Sequence, residues 1–195
     1  MAVDGLTPPP DEVADACRLL RVPVHVLIRP RAGDFVYDDE QYEAARRAVE
    51  SVKALGAAGV VIGVNTADGA VDGERTAALV ALARPMSVTF HKAFDVLRDP
   101  FEGLESLATL GDDRVLTSGG AATAVEGLSL LARLVRAVAG RVVVMAGGRV
   151  REEDVPGLRG AGLTELHVGS SVMTDGATDA AKVRRFVEAV RRVDA

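Results

Sequence analysis

SVTFHKAFD (Ser87–Asp95) is a short β-branched apolar run that ends abruptly in histidine, lysine and aspartate. A continuous apolar run of that length is the signature of a strand buried on both faces. The same sentence recurs, loosely, about every 25 to 30 residues along the chain. The other runs are Val24–Ile28, Val60–Val64, Arg114–Thr117, Val142–Met145 and Leu166–Val168. Between them lie longer amphipathic segments that read as helices over Asp11–Leu20, Asp39–Leu55, Asp72–Ala83, Asp99–Leu110, Ala121–Ala139, Arg151–Ala161 and Asp179–Val193. An acidic first turn after Asp38, and Pro100 following Asp99, mark helix starts; Gly56, Gly111, Gly140 and Gly162 mark helix ends.

The order is a helix followed by six βα units. Strict alternation calls for a parallel sheet with helices outside it, either an open doubly wound sheet or a (β/α) barrel. A dinucleotide-binding sheet places a glycine-rich fingerprint directly after its first strand, and none is present. A barrel gathers polar chemistry at the ends of many strands. Here the strand ends carry Arg29–Pro30–Arg31 with Asp34, then Asn65, His91–Lys92 with Asp95, Thr117–Ser118–Gly119, Gly147–Gly148 and Gly169–Ser170–Ser171. The expected fold is therefore an α/β TIM (β/α)8-type barrel in one domain over residues 1–195. Because such a barrel has eight strands and about 250 residues, one βα unit and one strand are expected to be lacking ahead of Gly5, which makes the barrel partial.

Composition sets the class of partner. The 195 residues are 48% hydrophobic and 26% charged, which supports a substantial core and argues against disorder. With 23 basic against 28 acidic side chains, net charge is −5, so no nucleic-acid partner is expected through bulk positive charge. No apolar stretch approaches the roughly 18 residues of a bilayer span, and the start, MAVDGLTPPP, lacks the basic and apolar regions of an export signal. The expectation is a cytoplasmic protein without a membrane partner. The single Cys17 excludes a disulfide framework and a thiolate-rich metal site.

Two groups of residues carry candidate chemistry. Arg29 and Arg31 flank Pro30, which stiffens the turn; two guanidiniums there suit a phosphate or carboxylate, or an ion pair with Asp34. His91 and Asp95 are candidates for a general acid–base pair, with Arg29 beside them as a third catalytic candidate. Lys92 alternates to the opposite face from His91, which weakens a Schiff-base reading. Ser118, Gly119, Gly147, Gly148, Gly169 and Ser170 form a candidate backbone cradle for an anion, since small-residue turns after the last strands of a barrel often hold phosphate. The alternative for each glycine is a plain tight turn. His25 begins its strand, about 13 Å from Arg29 at ~3.3 Å per residue, so His25, His91 and His167 are not expected to meet around copper, and Met86 and Met145 are the other soft donors. The metal is thus left unassigned.

Seven segments resemble the CutC family, long labelled copper homeostasis proteins: GLTPP (Gly5–Pro9), PVHVLIRPRAGDF (Pro23–Phe35), GAAGVVIGVNTADGAVD (Gly56–Asp72), RPMSVTFHKAFDVLRDP (Arg84–Pro100), DRVLTSGGAATAVEGL (Asp113–Leu128), VVVMAGGRV (Val142–Val150) and ELHVGSS (Glu165–Ser171). The resemblance implies a TIM-type barrel, a role in copper homeostasis with copper binding, and a homo-oligomer. The family usually has a strand, a helix and a second strand before GLTP, and its proposed Cu(I)-binding cysteines lie in or beside that part. Cys17 does not match them, so copper as a cofactor comes from the family label alone. Arg149 stands where the family usually has a third glycine, Lys92 replaces a commoner arginine, and the tail after Ser171 is shorter. The second reading is an enzyme acting on a small anionic or phosphorylated substrate at the strand ends. The third is a fragment whose exposed barrel edges are hidden by pairing between copies.

Overall fold

The computed structural model describes residues 5–194. The chain forms two compact units, Met1–Val115 and Leu116–Ala195. In the first, α1 (Pro10–Leu19), α2 (Asp39–Ala54), α3 (Gly73–Ala83) and α4 (Pro100–Leu110) alternate with β1 (His25–Leu27), β2 (Gly59–Ile62) and β3 (Ser87–Phe90), and the unit closes on the start of β4 (Arg114–Thr117). The strands pair in chain order, all parallel: Val26 lies opposite Val60, Val60 opposite Val88, and Phe90 opposite Val115. Each strand meets the next through a helix, so every crossover is the βα unit expected from the alternation.

Local sequence explains where the helices begin. Asp38 and Gln41 form a reciprocal capping box at α2, and Asp39 and Glu40 supply the acidic first turn expected there. Asp72 accepts from the Arg75 amide at α3, and Asp99 accepts from Phe101 and Glu102 at α4, where Pro100 takes the first helical position. The core of this unit is aliphatic, with Val49, Val60, Ile62, Leu79 and Val88 all nearly or fully buried.

The second unit holds the end of β4, then α5 (Leu128–Val138), β5 (Val143–Ala146), α6 (Val155–Gly160), β6 (Glu165–Leu166) and α7 (Ala180–Asp194). Met145 pairs in parallel with Glu165, and the Gly147 amide donates to the Thr117 carbonyl at 2.9 Å. The expected helix over Ala121–Ala139 is shortened at its start. Residues 121–127 are turns instead, because Ser118 donates to the Ala121 carbonyl and Thr123 and Glu126 bond each other reciprocally before the helix starts. The tail adds a feature that was not expected, an antiparallel ribbon of β7 (Met173–Thr174) and β8 (Ala177–Thr178). The dipeptide Asp175–Gly176 turns it with both residues at positive φ, 49° and 81°, the conformation that Asp-Gly hairpins favour.

Arg149 also has positive φ, 53°. A side chain in that region costs on the order of 1 kcal/mol, which glycine escapes at some entropic cost of its own. Arg149→Gly is expected to raise stability by about 0.5–1 kcal/mol, read from the midpoint of urea unfolding; a lowered midpoint would refute the conformational account of this position.

Candidate functional site

The site in the first unit grows from the register of β2 and β3. Val61 lies opposite Thr89, so the next pair on that face, one step past each strand by alternation, is Gly63 and His91. The His91 imidazole occupies the space a Cβ on Gly63 would need: Cε1 and Nδ1 would lie at 2.2 and 2.3 Å from it. Glycine is therefore what lets the ring lie down against β2. His91 is 5% exposed, and the amide of Ala93 donates to its Nδ1 at 3.1 Å. A ring nitrogen that accepts carries no proton, so the neutral ring has its proton on Nε2. Burial, followed by the nearby positive charge of Arg29, lowers the His91 pKa to about 4 and keeps the ring neutral. Nε2 is buried and has no hydrogen-bond partner.

Asn65, likewise 5% exposed, ends the neighbouring segment. Its Nδ2 donates to the Ala93 carbonyl at 2.9 Å and its own amide donates to the carbonyl of Phe35 at 2.9 Å. This leaves Oδ1 as a buried acceptor without a partner. The Phe35 ring lies 4.9 Å from that of His91, and the guanidinium of Arg29 lies 5.2 Å from the Phe35 centroid. Arg29 donates to the carbonyls of Gly5 and Gly33 at 3.2 and 2.8 Å. No carboxylate pairs with it among the described residues, and its buried Nε has no partner. Arginine, phenylalanine, histidine and asparagine thus meet in one cluster beyond β1, β2 and β3.

The other members of the expected site are arranged differently. Arg31 does not join Arg29 in presenting two free guanidiniums. It pairs with Asp34, donates to the carbonyls of Ala32 and Val36 and to the side chain of Gln41, and so holds its own loop together. Nor do His91 and Asp95 pair. Asp95 forms an ion pair with Lys92 at 2.6 Å across the single helical turn Lys92–Val96, which brings these two side chains to one side. The Lys92 side chain is 45% exposed.

In the second unit the proposed cradle has spent much of its donor capacity. Gly119 donates to Thr117 Oγ1 at 2.8 Å, Gly147 to the Thr117 carbonyl, and Ser118 Oγ to the Ala121 carbonyl at 2.7 Å. The Gly148 carbonyl accepts from Ala124, while Gly169 and Ser170 lead into the single turn Ser170–Val172. Those bonds stitch the loops together, leaving the Ser118, Gly119 and Gly147 donors no hydrogen to offer an anion. Sequence reading undervalued Asn65. It was visible as a polar residue at a strand end, but only the orphaned Oδ1 singles it out.

Copper does not find a fitting donor set here. His25 opens β1 in register with the first residues of β2 and β3, whereas His91 lies past the far end of β3. Cys17 is partly buried on α1 against the apolar core. Among the described residues no group of three or more His, Cys, Asp or Glu side chains could hold a metal ion, and no helix is long and apolar enough to cross a membrane.

Comparison with known proteins agrees with the strand pattern. The CutC family profile matches residues 1–172. The mouse copper homeostasis protein cutC homolog is 43% identical over 172 residues, covering 88% of this chain and 63% of the relative; the human homolog is 42% identical over the same lengths. A protein of Chromobacterium violaceum named for the CutC family is 46% identical over 167 residues, 85% of this chain and 68% of the relative. This chain therefore spans less than two thirds of the mouse and human proteins. Among solved structures, a Streptococcus agalactiae protein described as a copper homeostasis protein CutC superposes with a TM-score of 0.81 at 28% identity, over 85% of this chain and 83% of that one. The N-(5'-phosphoribosyl)anthranilate isomerase of Pyrococcus furiosus superposes with a TM-score of 0.63 at 17% identity, over 95% and 82% of the two chains; at that identity the likeness concerns the fold alone. Six parallel strands alternating with helices, in a TIM-barrel type of fold, and identity above 40% along nearly the whole chain lead to one conclusion: this chain belongs to the CutC family.

Proposed function

We propose that this chain acts in copper homeostasis, the role for which its mouse and human relatives are named, and that it does so by receiving a small anionic molecule at the C-terminal ends of the strands in its first unit. Kinship over 88% of the chain supports the role. One observation supports the ligand: the Arg29 guanidinium has no carboxylate partner among the described residues and stands in a cluster with a neutral, buried His91. Arg29 is partly buried, its Nε fully so, and an anion would complement a cation that has no carboxylate of its own. Copper is what the role concerns, not an ion that the described residues are equipped to hold. An acid–base mechanism is the weaker reading, because the His91–Asp95 pair it requires is replaced by Lys92–Asp95.

Both parts can be tested together. Disrupting the gene in its host should lower copper tolerance, and the wild-type chain, but not Arg29→Met, should restore it. Unchanged tolerance after disruption would remove the role. In thermal unfolding, inorganic phosphate or a small carboxylate at 100 times its dissociation constant should add about 2.7 kcal/mol of stability. Arg29→Met should lose that gain while Lys92→Met keeps it. A flat response in the folded wild type would remove the anion.

A further inference from the structure

Resting on the anion reading above, we infer that the molecule received at this site is a hydroxylated anion, whose hydroxyl group is read jointly by His91 and Asn65. The two side chains leave one donor and one acceptor without partners in the same cluster. Both are tied to a single residue. The Ala93 amide fills His91 Nδ1, which puts the proton on Nε2; the Ala93 carbonyl takes Asn65 Nδ2, which leaves Oδ1 as the open end of that amide. The roles are fixed by backbone bonds, so neither ring tautomer nor amide flip can exchange them without breaking a bond.

One donor and one acceptor are what a hydroxyl satisfies, since it accepts from Nε2–H and donates to Oδ1. A carboxylate or phosphate oxygen answers only the first. It would leave Oδ1 buried and unpaired, a loss comparable to a missing hydrogen bond. The site also keeps its own proton inventory constant. With its pKa near 4, His91 remains a donor through Nε2 alone at neutral pH and brings no second positive charge. The positive charge comes from Arg29, whose guanidinium lies 5.2 Å from the Phe35 centroid. The chemical class that fits both halves is a small molecule bearing an anionic group and a nearby hydroxyl, either a hydroxy acid or a phosphate ester of a polyol.

Calorimetric titration of the 195-residue chain with matched pairs tests this: malate against succinate, and glycerol 3-phosphate against propyl phosphate. Each pair shares its anion and differs in hydroxyl groups. A site built around a substrate hydroxyl discriminates strongly against the analogue that lacks it. The expected result is at least about a tenfold preference for the hydroxylated member in one pair, and the pair that shows it names the anion. Asn65→Leu should abolish the preference. The wild-type comparison needs no variant, so it stands even where Asn65→Leu does not fold. Equal binding within both pairs overturns the hydroxyl inference and leaves the anion reading in place, with the buried pair serving an internal water. A preference that survives in folded Asn65→Leu also overturns it. No binding by any of the four overturns both.

Discussion

Asp112→Asn is expected to stabilise the protein at pH 8 and to change little at pH 4. Asp112 is 3% exposed, and neither carboxylate oxygen has a hydrogen-bond partner. Its position follows from the end of α4, where Gly111 in a left-handed conformation lets the amides of Gly111 and Asp112 both donate to the Leu107 carbonyl. That geometry turns the Asp112 side chain into the protein. Burial, and next the charge of Asp113, raise its pKa from 3.8 to about 7, against the weaker pull of Arg84, which itself pairs with Asp113. A raised carboxyl pKa means the folded state holds a proton that the unfolded state has released. Its contribution is therefore complete below about pH 4 and is lost as pH rises toward 7. At about 1.4 kcal/mol per pH unit, the loss amounts to about 4 kcal/mol by pH 8. Asparagine has the shape of the neutral acid and cannot ionise, although its amide hydrogens also lack partners, so the net gain at pH 8 should be about 2–4 kcal/mol. Urea unfolding of both proteins at pH 4, 6 and 8 measures it. A difference that does not grow with pH would show that Asp112 ionises at its ordinary pKa.

The second large effect is expected from Gly63→Ala. One methyl group would have to share space with two atoms of the His91 ring and with Ala93 Cβ, 2.9 Å away. The ring is buried, and Nδ1 is bonded to the Ala93 amide, so it cannot swing aside without giving up that bond. Overpacking a rigid core position costs about 1–3 kcal/mol, and the broken buried bond adds on the order of 1 kcal/mol; a total loss of about 3 kcal/mol is expected. A merely structural clash would stop there. The assembly described above requires more: a displaced, hydrated ring should titrate nearer the ordinary histidine value of 6.5 than about 4. Proton or carbon NMR of the imidazole follows that titration directly. An alanine variant with full stability and an unshifted ring would mean that His91 does not lie against Gly63.

The same contrast separates what was legible in the sequence from what was not. The apolar runs mark β3 and β4 at their observed bounds, and Asp99–Pro100 and Gly111 mark the start and end of α4. The barrel-type alternation followed from them, because apolar periodicity and capping act over a few residues and survive any rearrangement at a distance. The ribbon at Asp175–Gly176 has a local signal too, the Asp-Gly dipeptide. The chemistry of the strand ends was less accessible. The sequence places Arg29, His91 and Asp95 at or just past the ends of strands, but the partner each side chain takes there depends on how the loop beyond the strand turns. A single helical turn gives Asp95 to Lys92, and Arg31 is drawn into its own loop. The amides of Gly119 and Gly147 go to Thr117. Hydrogen bonds are short and directional, so their assignment is decided by tenths of an ångström of tertiary placement, whereas the hydrophobic pattern that orders strands and helices is averaged over whole faces and is written in the sequence itself.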